Sequence, residues 1–216
     1  MSETVLVTGG TGTLGRPLVR RLVEDGHAVR LLSRKARPLG GAAAKVPKSV
    51  EWCVGDLVEG VGLDAALDGA TAVVHCASDP RRSNADITAG RNLVEAARRA
   101  GHLVYVSIVG VDRVPLGYYR TKLAVEGEIA GSPVPWSILR ATQFHDLLKM
   151  IIGGVAKVPV MPLPSGVSFQ PVEVDEVAER LVGLVDAGPS RRVPDFGGPR
   201  CARWSTWPRR ICGRPG

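Results

Sequence analysis

Tyr118 and Lys122 stand four residues apart in the run Tyr118-Tyr119-Arg120-Thr121-Lys122, a spacing that puts both side chains on one face of a helix. A phenol with an ordinary pKa near ~10 is a poor acid or base at neutral pH, but an ammonium beside it favours the phenolate and shares its proton traffic. The pair can therefore pass a proton to or from a small molecule, and Lys122 can also donate to the ribose of a nucleotide. Glu126, one helical turn further on, competes for the same ammonium and could divert it into a surface ion pair. Ser107 comes earlier, at the carboxyl end of an apolar run, where an open α/β sheet presents residues to a ligand. Its hydroxyl could polarise a carbonyl.

Near the start of the chain, Thr8-Gly9-Gly10-Thr11-Gly12-Thr13-Leu14-Gly15 has the composition of a phosphate-binding turn. A dinucleotide pyrophosphate needs a tight turn, a backbone with no side chain in the way, and free N–H groups at a helix N-terminus. Gly9, Gly12 and Gly15 meet these three needs, with Thr11, Thr13 and Leu14 between them, because an apolar strand precedes them and a helical pattern follows. A basic residue after the second strand suits a ribose 2′-phosphate, whereas an acidic one suits the free diol. Here the stretch is Ser33-Arg34-Lys35-Ala36-Arg37, with a hydroxyl at Ser33 and a guanidinium at Arg34, so NADP(H) is expected over NAD(H). Asp56 and Leu57 follow the third strand, where Asp56 can bond the adenine amino group or cap a helix, or do both. Cys76, Ala77 and Ser78 end the fourth strand with side chains small enough for close passage of a cofactor ribose. The Cys76 thiol itself suits packing better than chemistry.

These groups need a scaffold of alternating strands and helices, and the hydrophobic periodicity supplies one. Strands are predicted at Val5–Val7, Ala28–Leu32, Val50–Val54, Ala72–Cys76, His102–Ile108 and Trp136–Arg140. Helices are predicted from Leu14 to Val23, Asn84 to Ala100, Tyr118 to Ala130 and Val174 to Val185, with a short one after Gln143 and a proline-rich loop at Pro159–Pro164. The fold class is α/β, a Rossmann-type doubly wound parallel sheet with a small C-terminal lobe on the substrate side. Residues 1–142 form the nucleotide-binding core and 143–199 a substrate-side segment sharing the same sheet.

Residues 200–216 form a third, atypical part, a basic tail for which disorder or an altered terminus is expected. They hold five arginines and no acid, so the formal charge of +7 falls to 7 − 5 = +2 without them. A near-neutral body without a helix-turn-helix or aromatic RNA signature argues against nucleic acid as a partner. Hydrophobic residues at 44% and charged residues at 23% are ordinary for a globular protein. No signal peptide or membrane span is read, so the cytoplasm is the expected compartment. The four cysteines form no CxxC pair, and reduced thiols without a metal are expected. The partner is a small molecule, and the oligomeric state is left open.

The segments VTGGTGTLG, HCAS, YVSIVGVD, YYRTK and LRATQFHD occur in the order found in short-chain dehydrogenase/reductases. The chain resembles the extended or atypical members of that family, above all the NmrA-like NAD(P)H-binding subgroup. That resemblance implies Tyr118 as proton donor or acceptor, Lys122 as its electrostatic partner and Ser107 as carbonyl orienter. It also turns Gln143, Phe144 and His145 toward a substrate pocket, although simple packing after a strand accounts for them equally. Relatives continue past a Gly-Gly-Pro such as Gly197-Gly198-Pro199 with a polar helix that closes the substrate side, and this tail does not resemble it. The function implied is hydride transfer from NADP(H) to a small carbonyl, quinone or similar electrophile. A non-catalytic, NADP(H)-sensing regulator is the alternative, and a sugar-nucleotide epimerase is disfavoured by the short chain.

Overall fold

The computed structural model describes residues 3–38, 40–41, 45–79, 83–145 and 168–203. Its first strand, β1 (Thr4–Thr8), is buried along nearly its whole length, as a β-branched and apolar run must be at the centre of a parallel sheet. There follow α1 (Gly15–Glu24), β2 (Ala28–Ser33), β3 (Glu51–Val54), α2 (Leu63–Leu67), β4 (Ala72–His75) and α3 (Ser83–Ala96). Next come β5 (His102–Ile108), α4 (Gly117–Ala130), β6 (Trp136–Ala141), β7 (Ser168–Phe169), α5 (Val174–Ala187), β8 (Arg191–Arg192) and β9 (Ala202–Arg203).

Seven strands make one sheet in the order β3-β2-β1-β4-β5-β6-β8, with every neighbouring pair parallel. The chain winds outward from β1 to β3, then returns to lay β4 against the other side of β1. That reversal opens a crevice at the carboxyl ends of β1 and β4. Alternation along β1 divides the core, since successive side chains point to opposite faces. Val5 and Val7 pack with Leu18 and Leu22 of α1 and Val177 and Leu181 of α5. Leu6 packs with Leu63 of α2, Leu93 of α3, and Val125 and Ile129 of α4. The fold is thus the Rossmann-type α/β architecture expected from the sequence.

Several elements differ from the sequence reading. The helix expected to reach Ala100 stops at Ala96 and tightens into a 3₁₀ turn over Ala97–Arg99. The five residues of α2 are too few to produce a helical period. The edge strand β8 is two exposed arginines with no apolar alternation to mark it. Ala202–Arg203, at the start of the basic tail, pairs antiparallel with β7. The short helix expected after Gln143, the proline-rich loop and residues 204–216 lie outside the described residues. Among the described residues, no helix is long and apolar enough to cross a membrane.

Two histidines are buried in this sheet. His75 holds Thr8 Oγ1 at 2.7 Å through Nδ1 and stacks on Tyr105. His102 meets Ser137 Oγ at 2.8 Å through Nε2. Burial, and secondarily the charge of Lys122, pushes His75 down to about 3, while burial pushes His102 down to about 4. Their folded pKa values lie below the unfolded value, so below pH ~6.5 the unfolded chain takes up protons that the folded chain refuses. Stability is complete above that pH and declines toward the folded pKa values, by about 2 kcal/mol for His75 between pH 6.5 and 5 and by less for His102. Urea midpoints measured from pH 7 to 5 should fall accordingly, and a flat profile over that window would refute the buried-neutral assignment.

Candidate functional site

At the sheet's reversal the chain leaves β1 into a turn that only glycine can make. Gly9 has φ +70°, and a Cβ there would sit 2.6 Å from the Ala77 backbone nitrogen, so β1 and the end of β4 touch through it. A Cβ on Gly15 would overlap the Gly9 carbonyl oxygen, which itself accepts the Gly12 N–H at 2.9 Å. The turn is therefore folded back on the first residue of α1. Leu14 precedes α1 with no side-chain cap, and no acidic residue stands in its first turn. In that turn the Arg16 N–H goes to the Gly12 carbonyl at 3.2 Å and Pro17 has no N–H, so it is chiefly the positive end of the helix dipole that is left to an anion. Gly10, which the motif reading assigned no task, is required by packing: a Cβ there would lie 2.7 Å from Leu31 Cδ1.

Around this turn lies a groove of about 540 Å³. Gly9, Thr11, Gly12, Ser33 and Arg34 line it, and so do Asp56, Leu57, Cys76, Ala77 and Ser78. Thr13, Leu14, Gly15 and Lys122 do not; Leu14 is core and Gly15 sits under the turn. At one end Arg34 and Lys35 are exposed. Arg37, from the same basic run, is instead spent on structure, donating to the carbonyls of Val46 at 2.6 Å and Pro47 at 2.8 Å. Asp56 caps no helix, because its Oδ1 accepts the Val58 N–H at 2.7 Å and α2 begins only at Leu63. Burial pushes the Cys76 thiol up to about 12, outweighing the opposing pull of Lys122, so it is protonated and unreactive at neutral pH.

The opposite end of the groove is where Ser78 meets α4. Tyr118 Oη lies 3.0 Å from Ser78 Oγ, and Ser78 Oγ donates to Asp86 Oδ2 at 2.6 Å. Asp86, in the first turn of α3, also accepts the Asp79 N–H on both oxygens at 3.0 Å. Lys122 shares the Tyr118 face of α4 but its ammonium turns inward. It donates to the Val106 carbonyl at 3.0 Å and sits 4.7 Å from the Tyr105 ring centre, against 5.9 Å for Tyr118. Burial lowers Lys122 to about 8, against the raising influence of Asp86, Cys76 and Glu126.

Two sequence expectations change here. The ammonium does not bring Tyr118 down: burial pushes the phenol above its ordinary range, and the charge of Asp86 adds to this. Glu126 does not capture Lys122, because Arg140 of β6 takes it, with Nε at 2.9 Å and Nη2 at 2.6 Å from its oxygens. Arg140 also reaches Asp112 at 3.0 Å, binding α4 to β6 and to the loop after β5. Ser107 is buried, and among the described residues its Oγ has no hydrogen-bond partner; nothing joins it to Tyr118. Gln143 accepts the Val172 N–H at 3.0 Å, Phe144 packs on the core, and His145 Nδ1 lies 3.1 Å from Glu173 Oε1.

Asp86 is the site residue that sequence reasoning missed. Its only signal is position, an acid in the first turn of the helix that follows the Cys76-Ala77-Ser78 strand end. The arrangement could hold a dinucleotide, with the pyrophosphate on the Gly9–Gly15 turn, one ribose by Ser33 and Arg34, and the other by Ser78. Gly12 keeps that cradle clear, since a Cβ there would meet only the Gly9 carbonyl oxygen at 3.2 Å and otherwise enter the groove.

The sequence pattern of the NAD(P)H-binding family matches residues 9–186. The chain is 29% identical over 225 residues to a chloroplastic divinyl chlorophyllide a 8-vinyl-reductase of Oryza sativa subsp. indica, covering 91% of this chain and 54% of that protein. It is 32% identical over 142 residues to a (4-alkanoyl-5-oxo-2,5-dihydrofuran-3-yl)methyl phosphate reductase of Streptomyces griseus subsp. griseus, covering 65% of this chain and 48% of that one. The chain thus spans about half the length of these relatives. Among solved structures, the Bordetella bronchiseptica enzyme WbmH in complex with NAD+ superposes with a TM-score of 0.80 at 17% identity, over 100% of this chain and 84% of that one.

Proposed function

The chain belongs to the NAD(P)H-binding family, and from that premise we propose that it is an NADP(H)-dependent oxidoreductase acting on a small carbonyl, quinone or similar electrophile. One observation carries the reading. The groove has exposed guanidinium and ammonium groups of Arg34 and Lys35 at one end and a phenol hydrogen-bonded to its lining residue Ser78 at the other. When bound, the nicotinamide would supply the hydride. The chain's own residues would do the rest: the turn at Gly9–Gly15 binds the pyrophosphate, Arg34 neutralises the 2′-phosphate, and Tyr118 moves the proton.

Lys122 in this reading fixes the floor beneath Tyr118 from its seat on Val106. Ser107 supplies an unused hydroxyl for a substrate oxygen, with Gln143 and Phe144 at the strand end beside it. The inward turn of Lys122 favours a second reading, an NADP(H)-sensing protein without turnover. The two agree on nucleotide binding and differ on turnover.

The test is a titration with each nucleotide. The parent chain should bind NADPH more tightly than NADH. Arg34→Ala removes a charge-assisted contact and should weaken NADPH by about tenfold to a hundredfold while leaving NADH nearly unchanged. Equal losses for the two would reject the assignment of Arg34 to the 2′-phosphate.

A further inference from the structure

The hydrogen bonds at Tyr118 run in one direction, and that direction has a chemical consequence. Ser78 has a single hydroxyl hydrogen, and the 2.6 Å approach to Asp86 Oδ2 claims it, because a carboxylate can only accept. Toward Tyr118 Ser78 is therefore the acceptor, and Tyr118 donates across the 3.0 Å contact. The phenol proton points at Ser78, and the free lone pair of Tyr118 Oη is left for another donor. Asp86 is only half-buried, so the far end of the chain reaches solvent.

We propose that Tyr118, Ser78 and Asp86 form a proton relay, in which Ser78 passes the proton and Asp86 exchanges it with water. This rests on the oxidoreductase reading above and assigns two residues that reading does not use. In the direction of alcohol oxidation, the substrate O–H bond breaks and its proton bonds to Tyr118 Oη. The Tyr118 proton moves to Ser78 Oγ and the Ser78 proton to Asp86, which becomes a neutral carboxylic acid. A bound nicotinamide would take the hydride with the electron pair of the breaking C–H bond, leaving the alcohol as a carbonyl. Reduction runs the same transfers backwards, with Asp86 protonated from solvent at the start, so protons and electrons balance in both directions.

A purely structural role for Asp86 is separable from this one. Its two bonds to the Asp79 N–H hold the loop after β4, and an amide in its place keeps an acceptor for that N–H and for Ser78. What the amide cannot do is carry the charge or accept the proton. The other ionisable groups that face Tyr118 are Tyr105 from β5 and Tyr119 and Lys122 from α4. Asp86 is faced by Tyr105, Lys122 and Asp79, and none of these is altered by the substitutions below.

Tyr118 can be followed without substrate or nucleotide, by the ultraviolet absorbance of its phenolate in the full-length chain, with a Tyr118→Phe variant subtracted to remove Tyr105 and Tyr119. Asp86→Asn should lower the Tyr118 midpoint by about one pH unit, since a negative charge two hydrogen bonds away no longer opposes ionisation. Ser78→Ala should lower it as well, because the phenol then loses the acceptor that favours its protonated form. It also leaves the Asp86 to Asp79 contact intact, so it serves if the asparagine variant fails to fold. With a turned-over substrate, Asp86→Asn should also lower kcat about tenfold. A Tyr118 midpoint that neither substitution moves overturns the relay, even in a chain that binds NADPH. Shifted midpoints in a chain that binds neither nucleotide overturn the oxidoreductase reading instead, and with it the catalytic use of these three residues.

Discussion

Tyr118→Phe should bind NADPH as tightly as the parent chain and reduce carbonyl or quinone substrates about 10²- to 10⁴-fold more slowly. The substitution removes one oxygen and one proton. Its side chain touches the groove only through Ser78, so nucleotide affinity has little reason to change. The phenol lies above its ordinary pKa because of burial first and the Asp86 charge as well, so at neutral pH it is a proton donor whose phenolate is costly unless a proton is returned quickly. Loss of turnover with intact binding identifies the proton step. Unchanged NADPH oxidation across a panel of aldehydes, ketones and quinones would remove Tyr118 from the chemistry and favour the sensing alternative.

The second large effect concerns the support of α4. Arg140 and Glu126 expose only 5% and 8% of their side chains and are joined by three close contacts. Arg140→Leu strands a carboxylate in the interior, and breaking such a pair costs about 3–5 kcal/mol, or roughly 10 °C of melting temperature in a chain of this size. The double substitution Arg140→Leu with Glu126→Leu removes both charges and should recover most of that loss, because an apolar pair of similar volume is commonly neutral or better. Thermal melts of the three proteins decide it. A double variant as unstable as the single one would show that the cost comes from packing and not from the unpaired carboxylate. Glu126 is one turn from Lys122 on the same helix, so the single variant should also displace Tyr118 and lose turnover beyond what its residual folded fraction explains.

The parts of this architecture legible in the sequence are those with local causes. β1, β4 and β5 read as strands because burial on both faces makes each a continuous apolar run. α1 reads as a helix because Leu18, Val19 and Leu22 recur on its buried side. The glycine turn is legible because its neighbours in the chain are also its neighbours in space. What was hidden depends on distant partners. The carbonyl that holds Lys122 is 16 residues away, and the arginine that takes Glu126 is 14 away. Asp86 meets Ser78 only because the intervening loop turns back. Arg34 and Arg37 look equivalent in a basic run, and only the carbonyls of Val46 and Pro47 distinguish the structural one from the free one. Similarly, Asp56 offered two local readings, helix cap or adenine contact, and the turn it makes with Val58 is a third.

Charge is unevenly spread along the groove: the Arg34 and Lys35 cations outnumber the Asp56 carboxylate toward one end, and the Asp79 and Asp86 carboxylates stand toward the other, with the α1 N-terminus between them. A ligand carrying a terminal phosphate meets an attractive field in one orientation and a repulsive one in the reverse. Polarity of this kind acts before any ring or ribose is recognised, so backward insertion is penalised electrostatically and added salt should erode that bias sooner than it erodes shape selection.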